Sequence, residues 1–167
     1  FLAGMIVPFQ MAMIPLYKLL NGLNLIGKYP GAIAVYIATG IPFAVFLYVS
    51  FFKTVPRELE ESAQIDGSGP FRTFWKILFP LVKPITSTVV IIKSLFIWND
   101  FFIPLLFLQS KAMRNIPLSL YSFTSEYTNN WVLIFAAVVI GSLPLIALFL
   151  ALQKHFIQGI ASGAVKG

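Results

Sequence analysis

The chain is written as long apolar runs separated by short polar intervals, and the lengths of the runs decide what they are. Crossing about 30 Å of hydrocarbon at a rise of about 1.5 Å per residue takes about 20 mainly apolar residues in a helix. Four runs meet that requirement, at about 1–20, 31–52, 84–108 and 131–152. The last is the cleanest, with no charge between Glu126 and Lys154. Pro8, Pro15, Pro42, Pro104 and Pro144 fall inside these runs. In a membrane bundle such prolines are kinks, because neighbouring helices or water satisfy the carbonyls they free. The pattern therefore predicts an all-α, polytopic membrane bundle with four transmembrane helices, residues 1–167 forming a single transmembrane domain. The kinks fit a pathway better than a plain anchor. Phe1 already lies in an apolar stretch, with no initiator Met, basic leader or cleavage site before it, so the expectation is a fragment lacking its upstream part.

Composition agrees with the pattern. Hydrophobic residues fill 58% of the 167 positions and charged ones only 11%, and the mean hydropathy of +0.85 is that of an integral membrane protein. With no cysteine and the single histidine His155, the chain has no disulfide, no thiolate ligand or nucleophile, and no cluster for a metal. A net charge of +6 invites thoughts of nucleic acid, but the basic residues form no run or stripe. Anionic lipid and topology account for them instead. Lys53, Arg57, Arg72, Lys76 and Lys83 lie between the second and third runs, and Lys154 and Lys166 follow the fourth, against Lys18, Lys28, Lys111 and Arg114 on the opposite loops. That bias places the 53–83 loop and the C-terminus in the cytoplasm. Tyr17, Tyr29, Tyr127 and Trp131 sit near run ends, as rings anchored at a lipid interface do.

The 53–83 interval is far longer than a connection needs to be, and it is patterned. Pro56 opens a short helix whose Glu58, Glu60 and Glu61 lie toward the positive end of the dipole, with Leu59 and Ala63 on one face. Pro70 opens a second, in which Phe71, Phe74, Trp75 and Leu78 share a face and Arg72, Thr73 and Lys76 take the other; Pro80 and Pro84 are expected to end it. Asp66-Gly67-Ser68-Gly69 between them supplies the turn. Periodicity alone leaves two readings open, an amphipathic hairpin lying on the inner leaflet or a projecting handle.

The order of residues adds to this. Glu61-Ser62-Ala63 precedes Asp66-Gly67, and after nine intervening residues comes Ile77-Leu78-Phe79-Pro80. The segment resembles the EAA loop of the membrane subunits of binding-protein-dependent ABC importers, with Ser62 in place of the usual Ala and Phe79 in place of Leu. Pro8 with Ile14-Pro15-Leu16-Tyr17, Ile41-Pro42-Phe43 with Val55-Pro56, Trp98-Asn99-Asp100-Phe101, and the ending from Gln153 to Gly167 extend the likeness to the carbohydrate-uptake branch, of the maltose and glycerol-phosphate permease type. The resemblance implies a six-span subunit of which the first two spans are absent here. It further implies that this chain binds no cofactor, ATP and Mg being held by a separate cytoplasmic ATPase. Glu61, Ser62, Ala63, Asp66, Gly67, Ile77 and Pro80 would dock on that ATPase: Glu61 would pair with it, Ala63 and Gly67 would permit close approach, and Asp66 would cap the turn. The remaining implied partners are a second permease subunit, an extracytoplasmic solute-binding protein at loops 21–30 and 109–130, and the lipid of a bacterial or archaeal plasma membrane.

Enzymatic chemistry of its own is not expected. The nearest approach to a phosphate-binding loop is Gly22-Leu23-Asn24-Leu25-Ile26-Gly27-Lys28-Tyr29, where Tyr29 replaces the metal-binding Ser/Thr and no strand precedes; it reads as an external loop. Lys93 and Asp100 are seven residues apart in the third run, nearly two turns, which puts them on one face of a continuous helix about 10 Å apart. Each charge costs roughly 2.5–3.5 kcal/mol near a helix centre, so both should face water or protein. With Trp98 and Asn99 they are the candidate substrate-pathway residues; the alternatives are that Asp100 caps a kink or pairs with a missing helix, and that Lys93 snorkels. His155 reads as a complement to a helix C-terminus. An ion-coupled secondary transporter and a non-transporting membrane scaffold stay as rival readings.

Overall fold

The computed structural model describes residues 2–121 and 131–164, with side chains for 3–121, 131–151 and 153. Tyr127, Lys166 and the side chains of Lys154 and His155 lie outside that description. Every regular element among the described residues is helical: α1 (Phe9–Gly22), α2 (Tyr29–Phe52), α3 (Glu58–Ile65), α4 (Pro70–Leu81), α5 (Lys83–Trp98), α6 (Phe102–Phe107), α7 (Ile116–Tyr121) and α8 (Trp131–Ala164), with 3-10 turns at Leu2–Met5 and Lys111–Met113. Two of these helices, Tyr29–Phe52 and Trp131–Ala151, are long and apolar enough to cross a membrane, and a third span is present if the bent pair α4 and α5 counts as one. Both continue as helix past their internal prolines, Pro42 and Pro144.

The other two apolar runs are broken. The first becomes a 3-10 turn and then a helix of 14 residues, about 21 Å long and too short to span. Pro8 sits just before Phe9, where its missing N–H costs nothing. The third run parts after Trp98 and resumes at Phe102, so Asp100 lies at a break and not within a continuous helix.

By compactness the chain divides into two units, residues 1–43 with 93–148, and residues 44–92 with 149–167. In the first, a core gathers Leu20, Ala32, Val35, Ile103, Phe107 and Leu108, with Tyr17, Leu25 and Met113 packed against it. Phe107 is completely buried, and the half-buried Tyr17 ring stacks on it at 6.5 Å. Where lipid is the alternative environment, such burial gains close packing and not release of water. Tyr29 and Trp131 do stay exposed at helix starts. In the second unit, the Tyr48 hydroxyl on α2 donates to Thr86 Oγ1 on α5 at 2.9 Å, and Thr86 donates to the Val82 carbonyl at 2.8 Å. That chain secures the start of α5 just behind the 64° bend from α4.

Two helices end by the same backbone device. Leu25 N–H bonds to Leu20 C=O and Asn24 N–H to Asn21 C=O, with Asn24 in the left-handed region at φ 55. This is the Schellman arrangement, and the Leu20 and Leu25 side chains meet in the core as it requires. The stretch 22–29 is therefore a helix end and turn, and Gly27 N–H is taken by Phe107 C=O at 2.9 Å.

Close packing is tight at Gly141, where an added Cβ would lie 2.9 Å from Ile116 Cγ2, and at Gly31, where it would run into the Leu25 carbonyl. Gly141→Leu in the intact protein is expected to lose about 1–3 kcal/mol by overpacking, and Ile116→Ala in the same chain should restore part of it. Thermal unfolding in detergent reads both, and an unchanged midpoint for the single variant would refute the contact.

Candidate functional site

The α3–α4 hairpin is made by its turn. After α3, Ser68 N–H bonds to Ala63 C=O at 2.9 Å and Gly67 N–H to Gln64 C=O at 3.0 Å, with Gly67 at φ +73. Asp66 is the residue at the helix stop, and the stop itself is made by backbone. Among the described residues, and its two neighbours apart, nothing lies within 4 Å of where a Gly67 Cβ would be, so the glycine answers to φ and not to crowding. Ala63 is buried at 3% exposure, while Glu61, Ser62 and Asp66 are exposed. Ser62 returns its hydroxyl to the Leu59 carbonyl at 3.2 Å, satisfying itself on its own helix. Glu61 lines a polar recess of about 800 Å³ with Lys53, Arg57, Glu60 and Gln64.

The end of α4 falls between its two expected stops: the helix runs one residue past Pro80, to Leu81, and bends at Val82 before Pro84. Residues Phe74–Leu78 form a π turn, with Phe79 N–H bonded back to Phe74 C=O. That wider turn falls where the Pro80 ring would otherwise collide with the Lys76 carbonyl. Pro84, with no N–H to return to the Pro80 carbonyl, closes α4 and occupies the first turn of α5. Thr73 is buried at 6% and Ile77 half-buried, whereas Phe71 is 78% exposed and Phe74 and Trp75 are exposed beside it. Phe71, Trp75 and Phe79 form a ladder of rings, with centroids 6.2 and 4.8 Å apart. The amphipathic pattern thus marks a face presented outward. Thr73 Oγ1 is buried with no hydrogen-bond partner, a loss of about 1–3 kcal/mol for an unpaired polar group.

The second candidate lies in the first unit. Asp100 Oδ1 accepts from Phe102 N–H and Oδ2 from Ile103 N–H, both at 3.1 Å, and Oδ2 also accepts from the Tyr36 hydroxyl at 2.9 Å. The carboxylate so satisfies the free N–H groups that start α6 and complements its dipole. The kink-capping alternative for Asp100 is thereby realised. Lys93 and Asp100 nonetheless line one recess of about 200 Å³, with Phe9, Tyr36, Thr39 and Phe96. The Lys93 ammonium lies 5.1 Å from the Phe43 ring centroid and 5.9 Å from that of Phe96. Cation–π attraction of about 0.5–2 kcal/mol offsets part of the cost of a charge at this depth.

Trp98 and Asn99 are not gathered there. Trp98 donates its indole N–H to the Gly141 carbonyl at 2.9 Å and lines a separate, mainly apolar recess of about 340 Å³. Asn99 is exposed and donates to the Leu95 carbonyl at 2.9 Å. Tyr36 and Asn115 were missed in the sequence. Asn115 donates from Nδ2 to the Asp100 carbonyl and accepts at Oδ1 from Leu118 N–H at 3.2 Å. Asn followed by Ile-Pro is a readable helix start, and Asn115 could have been found by it. Nothing in the spacing joins Tyr36 to Asp100.

The chain belongs to the family described as binding-protein-dependent transport system inner membrane component, whose profile matches residues 1–162. It is 43% identical over 164 residues to the melibiose/raffinose/stachyose import permease protein MelC of Bacillus subtilis, covering 98% of this chain and 59% of the relative. To the multiple sugar-binding transport system permease protein MsmG of Streptococcus mutans it is 40% identical over 165 residues, again 98% and 59%. To the arabinooligosaccharides transport system permease protein AraQ of Bacillus subtilis it is 42% identical over 163 residues, 98% and 57%. The chain therefore spans less than two thirds of the length of these relatives.

Asp100→Ala should expose the start of α6. Loss of a capping acceptor costs about 0.5–2 kcal/mol, so exchange of the Phe102 and Ile103 amides is expected to quicken roughly 2–30-fold. Tyr36→Phe, which leaves both N–H bonds to Asp100 in place, should leave those rates little changed. Hydrogen exchange by mass spectrometry distinguishes the two.

Proposed function

We propose that the chain is part of the permease of a binding-protein-dependent ABC importer that carries a carbohydrate or related solute. In this reading its four apolar runs are four membrane spans, the broken ones completed by neighbouring segments, and the hairpin and C-terminus face the cytoplasm of a bacterial or archaeal cell. The observation that carries it is the hairpin: Gly67 in a left-handed turn, Ala63 buried, and the aromatic face of α4 turned outward. A short rigid helix pair with an apolar face and a charged rim is built to seat in a groove of a partner.

The partner is a cytoplasmic ATPase that holds ATP and Mg, and this chain performs no hydrolysis. Glu61, with Lys53 and Arg57 at the rim of the same recess, supplies polar contacts; Ile77 and Pro80 complete the docking segment. Closure of the ATPase on ATP moves the hairpin, and the bend between α4 and α5 passes that motion to the span. A second permease subunit encloses the pathway, and a solute-binding protein delivers cargo to the outer loops. Of the four pathway candidates, Lys93 is the one whose charged end borders a recess without also capping a helix, and the indole N–H of Trp98 is used in packing. The sugar assignment draws on the printed names of the relatives, which are sugar permeases.

Gly67→Pro in the complete importer tests the docking role. The substitution forces φ near −65° where the turn needs +73 and removes the N–H bonded to Gln64. ATP-dependent uptake is expected to fall at least about tenfold, one 1.4 kcal/mol step, while membrane insertion persists and the ATPase no longer co-purifies. Uptake at the wild-type rate would overturn the reading.

A further inference from the structure

The short helix α6 is clamped at both ends by segments outside it. At its C-terminal end the Phe107 carbonyl accepts from Gly27 N–H at 2.9 Å, which ties it to the turn between α1 and α2. At its N-terminal end Asp100 holds the first amides, and Asn115 holds the Asp100 carbonyl. One face of the helix between, at Ile103, Pro104 and Phe107, is buried in the core, while Phe102 and Leu105 are exposed. Asp100 also borders the recess that contains Lys93. The helix thus joins the turn between α1 and α2, and the segment before α7, to the wall of the recess.

We infer that Asn115 is a positioning residue for transport: its amide links the outer segment around α7 to the backbone of Asp100, so that a binding protein docked on the outer loops loads α6 and shifts the recess wall. The inference rests on the proposed importer reading. Asn115 has two bonds that can be separated chemically. Its Oδ1 caps α7 through Leu118 N–H, and its Nδ2 makes the link to Asp100. Asn115→Ser keeps an acceptor for the cap but is too short to reach the Asp100 carbonyl; Asn115→Ala removes both. Tyr36, the other group on Asp100, joins it to α2 and not to the outer segment.

The experiment uses the complete importer in proteoliposomes, with ATP on the ATPase side and its cognate binding protein, loaded with cargo, on the other. ATP hydrolysis is measured against binding-protein concentration. For Asn115→Ser the ratio of stimulated to basal hydrolysis is expected to fall about tenfold, within the usual range of coupling between sites, while the half-saturating concentration moves less than about threefold. A wild-type ratio in Asn115→Ser overturns the inference alone, and so does loss confined to Asn115→Ala, which would make the cap the only role. A raised half-saturating concentration with the full ratio retained assigns Asn115 to the docking surface and also overturns it. If the wild-type importer is not stimulated at all, the importer reading falls and takes the inference with it. A measurement on the unaltered chain does not depend on variants folding: docking of the binding protein should slow exchange at the Phe102 and Ile103 amides, and unchanged rates there would refute the link.

Discussion

A peptide group inside a membrane has no water to bond, so any break in a span must be sealed by the chain itself. The break at residues 99–101 is sealed by one carboxylate. Asp100 collects two backbone N–H groups and a tyrosine hydroxyl, and its own carbonyl is held by Asn115. The charge of Asp100 would be costly in hydrocarbon, yet here it stabilises the start of a helix, where negative charge is favoured. Because the break is sealed, α6 can leave the line of α5 and enter the core, and the recess beside Lys93 acquires a wall. Without that carboxylate, the third run would have to continue as a plain helix or lose its hydrogen bonds.

The second unit solves a different problem, how to carry a stiff projection on a helix that must then turn. The π turn in α4 lets Pro80 remain helical, and the bend follows at Val82, beside the Tyr48–Thr86–Val82 hydroxyl chain. The hairpin is consequently continuous with α5 and separated from it by a single residue. A joint of that kind transmits displacement with little slack, which a flexible linker would not do.

Much of this was legible in the sequence, for identifiable reasons. The second and fourth runs are uninterrupted and apolar; the second is a helix with nearly the expected bounds, and the fourth starts where expected but continues to Ala164. The turn at Gly67 was readable because only a few residue types tolerate its φ. The first and third runs were not readable as broken, since apolar content measures affinity for lipid and says nothing of where hydrogen bonds are interrupted. Asp100 was recognised as unusual, and both capping and pathway roles were consistent with its position; only the placement of Phe102 and Ile103 separates them. The apolar stripe of α4 was readable, but periodicity identifies such a stripe without identifying what covers it. Tyr36 and Asn115 act through contacts distant in sequence, which no local pattern carries.

The ring ladder on α4 has a thermodynamic consequence. Phe71, Trp75 and Phe79 restrain one another edge to face or tilted, with Phe74 5.2 Å from Trp75. Side chains that already hold their rotamers lose little freedom when a surface closes over them, whereas each floppy one gives up about 0.5–1.5 kcal/mol. Whatever settles on that face meets a rigid relief instead of a fluctuating one, so its grip is won more by shape than by ordering.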